Sequence, residues 1–459
     1  MSSPETPGSD TTVPAADAPA APAPDTPAAD APADHPADAG PAPIDGPEAR
    51  RFGTLLRIRE FRALWFADTI SVLGDQVMRV SVSLLVYHQT GGNAAVTSLV
   101  YALTFLPTLL GGALLSGLAD RFPRRTIMIT TDLARAALFG AAAIPHLPLP
   151  LVAVMLVVAV VLGSAFRAAQ TATLPDVLVG EVYTTGLAFR SISLQSAQLL
   201  GYGVGGVVAG AIGPRWGLVL DAATFVVSAV LLATQVQHRP TPPRERRHEA
   251  SWRDYGHGLG EGFAFIWRSR ELRVLVGLAL MSGIYVIPEG LAAPYAAHLG
   301  GGGPATGLLM AADPAGSALG AWLLVKYVPQ QLQRRWMAVL ALVPGIVLLL
   351  CWFGPGLAAS AFIWAGAGAV SVFQIPASVE FVRRVPDNKR GVTLGLVTSA
   401  MLTAQGVGVV LGGVVADAAT AVVAVGVAGI VGIVAAGVLA VRWGPIGRVA
   451  TADEVGSVG

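Results

Sequence analysis

The chain has 459 residues, 53% of them hydrophobic and only 13% charged, with 30 basic and 29 acidic side chains and a formal net charge of +1. A soluble chain carries roughly twice that share of charge, so the composition excludes a soluble globular enzyme and points to a membrane protein that crosses the bilayer repeatedly. The single cysteine, Cys351, and seven scattered histidines offer neither a disulfide nor a metal-ligand spacing.

Residues 1–50 repeat Ala, Pro and Asp in pieces such as PAAD and APAD. Too few large apolar residues occur there to offset ordering entropy, so this stretch is expected to be a disordered cytoplasmic tail. It lacks the charged and apolar regions of a signal peptide. A basic stretch, Arg50 to Arg62, leads into twelve apolar segments near 62–87, 95–118, 126–145, 150–174, 185–212, 215–236, 273–297, 304–328, 336–354, 357–382, 391–416 and 420–442. Each is long enough to cross a hydrocarbon core of about 30 Å as a helix. Even-numbered connections are charged, while odd-numbered ones are nearly free of Lys and Arg apart from Arg215. Basic loops stay on the cytoplasmic side, so both termini are expected there.

The run 237–272 holds seven arginines and the proline cluster Pro240, Pro242 and Pro243. It reads as a cytoplasmic linker between a first six-helix bundle, 51–236, and a second, 273–445, with 446–459 as a cytoplasmic tail. Its later part, 252–267, has the make-up of an amphipathic helix on the membrane surface, close to anionic lipid heads. The expected fold is an all-α membrane protein with twelve transmembrane helices in two pseudo-symmetric six-helix bundles.

The two halves repeat. Ala197-Gln198-x-x-Gly201-x-x-x-Gly205-Gly206 recurs as Ala404-Gln405-x-x-Gly408-x-x-x-Gly412-Gly413, an offset of 207 residues (405 − 198; 413 − 206). Glu60-x-Arg62-x-Leu64 likewise recurs as Glu271-x-Arg273-x-Leu275. Parallel repeats place a transport pathway at the interface of the halves, and glycines four apart let helix backbones approach closely.

Ser116 to Arg125, SGLADRFPRR, interrupts two apolar runs with Asp120, Arg121, Arg124 and Arg125. It resembles the G-x-x-x-D-R-x-G-R-R loop between helices 2 and 3 of the major facilitator superfamily, with Ser116 and Pro123 in place of the two glycines. The resemblance covers 52–445. It implies a twelve-helix secondary transporter in a bacterial plasma membrane, with this loop as a gating loop and Asp120 at the N-terminus of helix 11, favouring the outward-facing state. Gly201-Tyr202-Gly203-Val204-Gly205-Gly206 resembles the G-P-x-x-G-G motif of the antiporter branch, with Tyr202 replacing the proline, which implies export. The F-R-x-L-W, S-x-x-G-D and L-x-Y-x-x-T-G pieces of helix 1, with Gln170-x-Ala172-x-Leu174-Pro175-Asp176 ending helix 4, are similar to the macrolide-efflux and enterobactin-exporter group.

Charges inside membrane spans are costly and default to function. Asp75, Arg79, Glu289 and Asp313 fall in the outer half of the expected spans. Asp68, Asp132, Arg135, Arg167 and Arg190 fall in the inner half, where Asp132 and Arg135 are spaced to pair on one helix face and Arg167 and Arg190 to snorkel. The outer four are the proton-coupling candidates. Asp75 leads them, with Arg79 one turn on as its modulating partner. Gln198, Tyr202, Tyr285, Gln374 and Gln405 are candidates to line a substrate cavity.

No Walker loop is present, so protons rather than ATP are expected to drive transport. The sequence reads as a monomer that exports a small amphipathic drug or natural product by proton antiport, with no cofactor and no nucleic acid. A siderophore exporter of the same fold is the alternative, followed by a non-transporting sensor.

Overall fold

The structure, a computed structural model, describes residues 55–105, 122–178, 180–239 and 252–456, with side chains described for all of these except 181, 252–259 and 444–456. Helices and short connections make up these residues, and no strand occurs among them. The first half contains α1 (Arg59–Gln89), α2 (Ala94–Ala102), α3 (Arg124–Ala142), α4 (Leu149–Val177), α5 (Glu181–Ala211) and α6 (Pro214–Gln235). Then come α7 (Trp252–Arg268), α8 (Arg270–Leu280) and three short pieces, α9 (Ser282–Tyr285), α10 (Ile287–Gly290) and α11 (Ala292–His298). The rest holds α12 (Gly303–Tyr327), α13 (Gln330–Leu340), α14 (Val343–Leu349), α15 (Leu357–Val370), α16 (Gln374–Arg384), α17 (Asp387–Ala418) and α18 (Ala421–Gly456).

Local chemistry sets many of the helix ends. Asn93 caps α2 by accepting from the Val96 amide at 2.7 Å, and Gly91 and Gly92 before it take left-handed φ values of 66° and 94°. Proline stands in the first turn of α4, α6 and α12, where its missing N–H costs nothing. The seventh apolar segment is broken at Met281, Val286 and Leu291, around Pro288. α13 meets the next stretch, Val343–Phe353, at a bend of 45°, with Pro344 in the first turn after it.

By length and composition, eight helices among the described residues are able to cross a membrane, or nine with the bent pair counted as one. α3 and α5 do not pass that test, because Arg124, Arg125, Asp132 and Arg135 load the first and polar residues and glycines the second. Most of the second expected span, 106–118, lies outside the described residues, as do 1–54.

The glycine repeat makes the same contacts in both halves. A Cβ on Gly201 would stand 2.6 Å from Leu73 O of α1, and one on Gly206 would stand 2.8 Å from the Gly307 Cα of α12. In α17, a Cβ on Gly408 would stand 1.8 Å from Gly283 O, and one on Gly413 would stand 2.4 Å from the Ser98 Cβ of α2. Each repeat thus seats its early glycine on the first segment of its own half and its last on the second segment of the other. Gly408→Ala is expected to lower the unfolding midpoint in detergent by about 1–3 kcal/mol through overpacking. Gly395→Ala on the same helix, with nothing within 4 Å, is expected to be neutral or stabilising. Equal stability of the two variants would show that α17 and α9 are not in backbone contact.

Links between the halves gather near the turns at 90–93, 212–213, 299–302 and 419–420. Asn93 Nδ2 donates to Asp417 Oδ2 at 3.3 Å, and Ser98 Oγ lies 3.5 Å from Gly290 O. Toward the other end, Val182 to Gln195 of α5 and Asp387 to Ser399 of α17 are mostly half-buried or exposed. There α7 lies against α17, with Lys389 Nζ 5.1 Å from the Phe265 ring.

Candidate functional site

A cavity of about 360 Å³ is walled by α5, α9, α10, α12, α15, α16 and α17. Two carboxyl groups, Glu289 and Asp313, face it with Tyr285, Trp364, Gln195, Gln374 and Gln405, and no lysine or arginine lines it. Tyr285, Gln374 and Gln405 were expected from the sequence. Gln198 is half-buried and is not among the lining residues; Gln195, one turn earlier, is. Tyr285 also donates from Oη to Ala341 O at 2.5 Å, which fixes its ring against the third segment of the second half.

Glu289 joins this cavity to the closed end of the molecule. Its Oε1 accepts from Tyr101 Oη of α2 at 2.8 Å and also from Tyr202 Oη of α5. Both tyrosines are buried in the first half, whereas Glu289 belongs to the second. Pro288 interrupts the helix beside it, so the carboxylate sits at a break instead of in a continuous helical face. The Tyr101 ring meets Phe105 edge-on at 5.6 Å, and the Arg79 guanidinium lies 5.1 Å from the Phe105 centroid. Tyr202 therefore stands at the motif's proline position as a buried hydrogen-bond donor.

Asp75 and Arg79, expected as a pair, go to different partners. Asp75 Oδ1 accepts from Arg135 of α3 at 2.7 Å. Arg135 also lies 4.0 Å from Asp132 and 3.9 Å from the Phe225 ring centroid. Asp132 accepts from Ser228 Oγ at 2.5 Å. Beside them on α6 is Asp221, which is fully buried, with Oδ2 lacking any hydrogen-bond partner. Its Oδ1 faces Gly74, where a Cβ would stand 2.4 Å away. Asp221 is not among the residues expected from the sequence, although a lone acid inside the sixth apolar run is the same signal that marks Asp313. Glu380 is likewise not among them. It is buried at the end of α16, pairing with Arg334 at 3.0 Å and with Arg384.

Arg190 does not reach for the membrane surface. It binds Asp68 at 2.7 Å and donates to Gln170 Oε1 at 3.1 Å. Arg167 NH2 lies 3.4 Å from Ser164 Oγ. In the loop motif, Asp120 and Arg121 lie outside the described residues. Arg124 bridges to Asp176 at 2.8 Å, and Arg125 reaches the carbonyl oxygens of Leu232 and Ala233, so this part of the loop ties the ends of α3, α4 and α6 together. The Arg124–Asp176 pair has a counterpart in Arg334–Glu380 of the second half.

A helical protein with several candidate membrane spans, a repeated glycine framework and a polar cavity walled mainly by its second half, with Gln195 of the first at its edge, has the make-up of a membrane transport protein. The Major Facilitator Superfamily model matches residues 64–364, well over half of the chain, and the chain belongs to that family. It is 28% identical to macrolide efflux protein A of Streptococcus pyogenes over 230 residues, which span 50% of this chain and 55% of that protein. It is 27% identical to the multidrug efflux pump Tap of Mycobacterium tuberculosis (strain ATCC 25618 / H37Rv) over 381 residues, covering 77% of this chain and 86% of Tap. Among solved structures, it resembles a POT family transporter in complex with 5-aminolevulinic acid, with a TM-score of 0.66 and 11% identity over 85% of this chain and 96% of that one. It also resembles a bacterial homolog of the human lysosomal transporter Spinster in an inward-facing, unoccupied conformation, with a TM-score of 0.63 and 14% identity over 85% and 97%. At these identities the structural likeness is one of fold.

Proposed function

We propose that this protein exports small amphipathic compounds in exchange for protons. Its architecture is twelve transmembrane helices in two six-helix bundles, with the termini and the linker 237–272 cytoplasmic. The linked ends of the halves then face outward, and the cavity opens inward. The two efflux relatives favour export over uptake.

The observation that carries the reading is Glu289. It faces the cavity and is also the acceptor through which Tyr101 and Tyr202 hold the outer ends together. A charged Glu289 attracts a cationic substrate and keeps both phenol hydrogen bonds strong. Protonation removes that charge, weakens the outer latch and disfavours a bound cation. A single carboxyl group thereby links proton loading, cargo release and opening, which alternating access requires. Asp75 is held by Arg135 away from the cavity, so the coupling role passes to Glu289 with Asp313. Two carboxyl groups, Tyr285 and Trp364 suit an apolar cation. An anionic siderophore would instead need the arginines that the cavity wall lacks.

Everted vesicles holding the protein, with an acidic interior and no nucleotide, are expected to accumulate a lipophilic fluorescent cation and to release it when the pH gradient is collapsed. Accumulation that needs ATP and ignores the gradient would reject the proposal.

A further inference from the structure

We propose that the start of α8 and the far end of the apolar part of α18 form a binding site for the phosphate headgroup of an anionic phospholipid. A second cavity, of about 260 Å³, is bounded there by Arg270, Arg273, Val274, Leu439 and Arg442. All three arginines are exposed, and none has a carboxylate partner among the described residues. The neighbouring acids are already committed: Glu271 to Arg384 at 2.5 Å, and Glu380 to Arg334 and Arg384. Three arginines thus line one small space without a carboxylate partner among the described residues. Their planar forks match phosphate oxygens bidentately.

The position selects a lipid over a free anion. Arg270 opens one candidate span and Arg442 stands one residue before the end of another, Ala421–Trp443, so the charges lie at headgroup depth. Val274 and Leu439 give the cavity an apolar wall, which continues onto the exposed Val438 and Val441 of α18, where acyl chains would lie. On α7 beside it, Phe263 and Trp267 are more than half exposed and stacked at 5.4 Å. The Arg273 guanidinium lies 6.0 Å from the Trp267 centroid. Exposed aromatic rings at this level mark the membrane–water interface, and basic pockets between spans hold anionic head groups. A lipid seated here would brace the linker helix against the first and last spans of the second half. The inference rests on insertion in a membrane and not on the direction or coupling of transport, so the vesicle experiment above and the one below fail separately.

Full-length protein in detergent is titrated with short-chain phosphatidylglycerol, phosphatidylcholine or inorganic phosphate, and bound species are counted by native mass spectrometry. Phosphatidylglycerol is expected to bind, and the other two are not. Removing Arg273 and Arg442 together as Gln should weaken it roughly twenty-five-fold, about fivefold per arginine. Arg335→Gln, which removes an exposed charge stacked on Trp336 instead, should leave binding unchanged. As a check on unmutated arginines, brominated phosphatidylglycerol should quench a tryptophan component that Trp267→Phe abolishes. Undiminished binding in the double variant, an equal loss in Arg335→Gln, quenching indifferent to Trp267→Phe, or phosphate binding as tightly as the lipid would each overturn the site.

Discussion

Arg135→Met is expected to destabilise the protein more than the removal of any other cation described inside the first six segments, by about 3–5 kcal/mol. The Arg135 side chain is only 6% exposed, and its guanidinium bonds to Asp75 at 2.7 Å and lies 4.0 Å from Asp132. Without it, the fully buried Asp132 and the half-buried Asp75 lose their cation beside Asp221, which has no cation of its own within ion-pair distance among the described residues. Arg79→Gln removes a contact with the Phe105 ring and no ion pair, so its cost is expected to be nearer 1 kcal/mol. Asp75→Asn should fall between them, because Arg135 keeps Asp132 as a neighbour. Cys351 is the chain's only cysteine and is fully buried, so a thiol-reactive fluorophore reports unfolding in detergent directly. If Arg79→Gln proves the more damaging change, Asp75 has been assigned to the wrong arginine.

Glu289→Gln is expected to cut uphill transport by at least roughly tenfold, the scale of a lost charge-assisted interaction, while leaving downhill exchange of substrate intact. The amide oxygen still accepts from Tyr101 and Tyr202, though more weakly than the carboxylate, so the protein remains folded while the outer ends part more readily, as in the protonated state. What is lost is the ability to exchange a proton, and the remaining flux should no longer depend on the pH gradient. Tyr101→Phe and Tyr202→Phe keep the carboxyl group and remove one donor each. They should keep coupling but alter the rate at which the outer end opens. Full uphill transport in the Gln variant would move the role to Asp313, the other carboxyl group of the cavity.

Much of the framework was legible in the sequence because it depends on local composition. Long apolar runs become helices in any bilayer, since the backbone has no other way to satisfy its hydrogen bonds there. The glycine repeat at 201–206 and 408–413 identified the faces of closest helix approach, because only the absence of a Cβ permits contacts such as Gly408 on Gly283. The cost of burying charge was enough to nominate Glu289 and Asp313, both of which line the cavity. Of the residues expected to line a cavity, Tyr285, Gln374 and Gln405 do so, and Gln198 and Tyr202 do not.

Partnership was decided only by the tertiary structure. Asp75 and Arg79 share a helix face one turn apart, and helical spacing alone pairs them. Asp75 instead meets Arg135, sixty positions away, because the seating of α3 and α6 against α1 brings that guanidinium closer. Arg79 is left to the Phe105 ring, just past the end of α2. Asp221 is significant only once Gly74 and Asp75 are set beside it, and Gln195 displaces Gln198 because the rotation of α5 about its axis decides which turn faces the cavity. Helix rotation and register follow from how whole faces interlock, a property of pairs of segments that no single segment encodes. Each span is therefore determined by its own residues, while the junction of Glu289 with Tyr101 and Tyr202 exists only through the packing of three segments drawn from both halves.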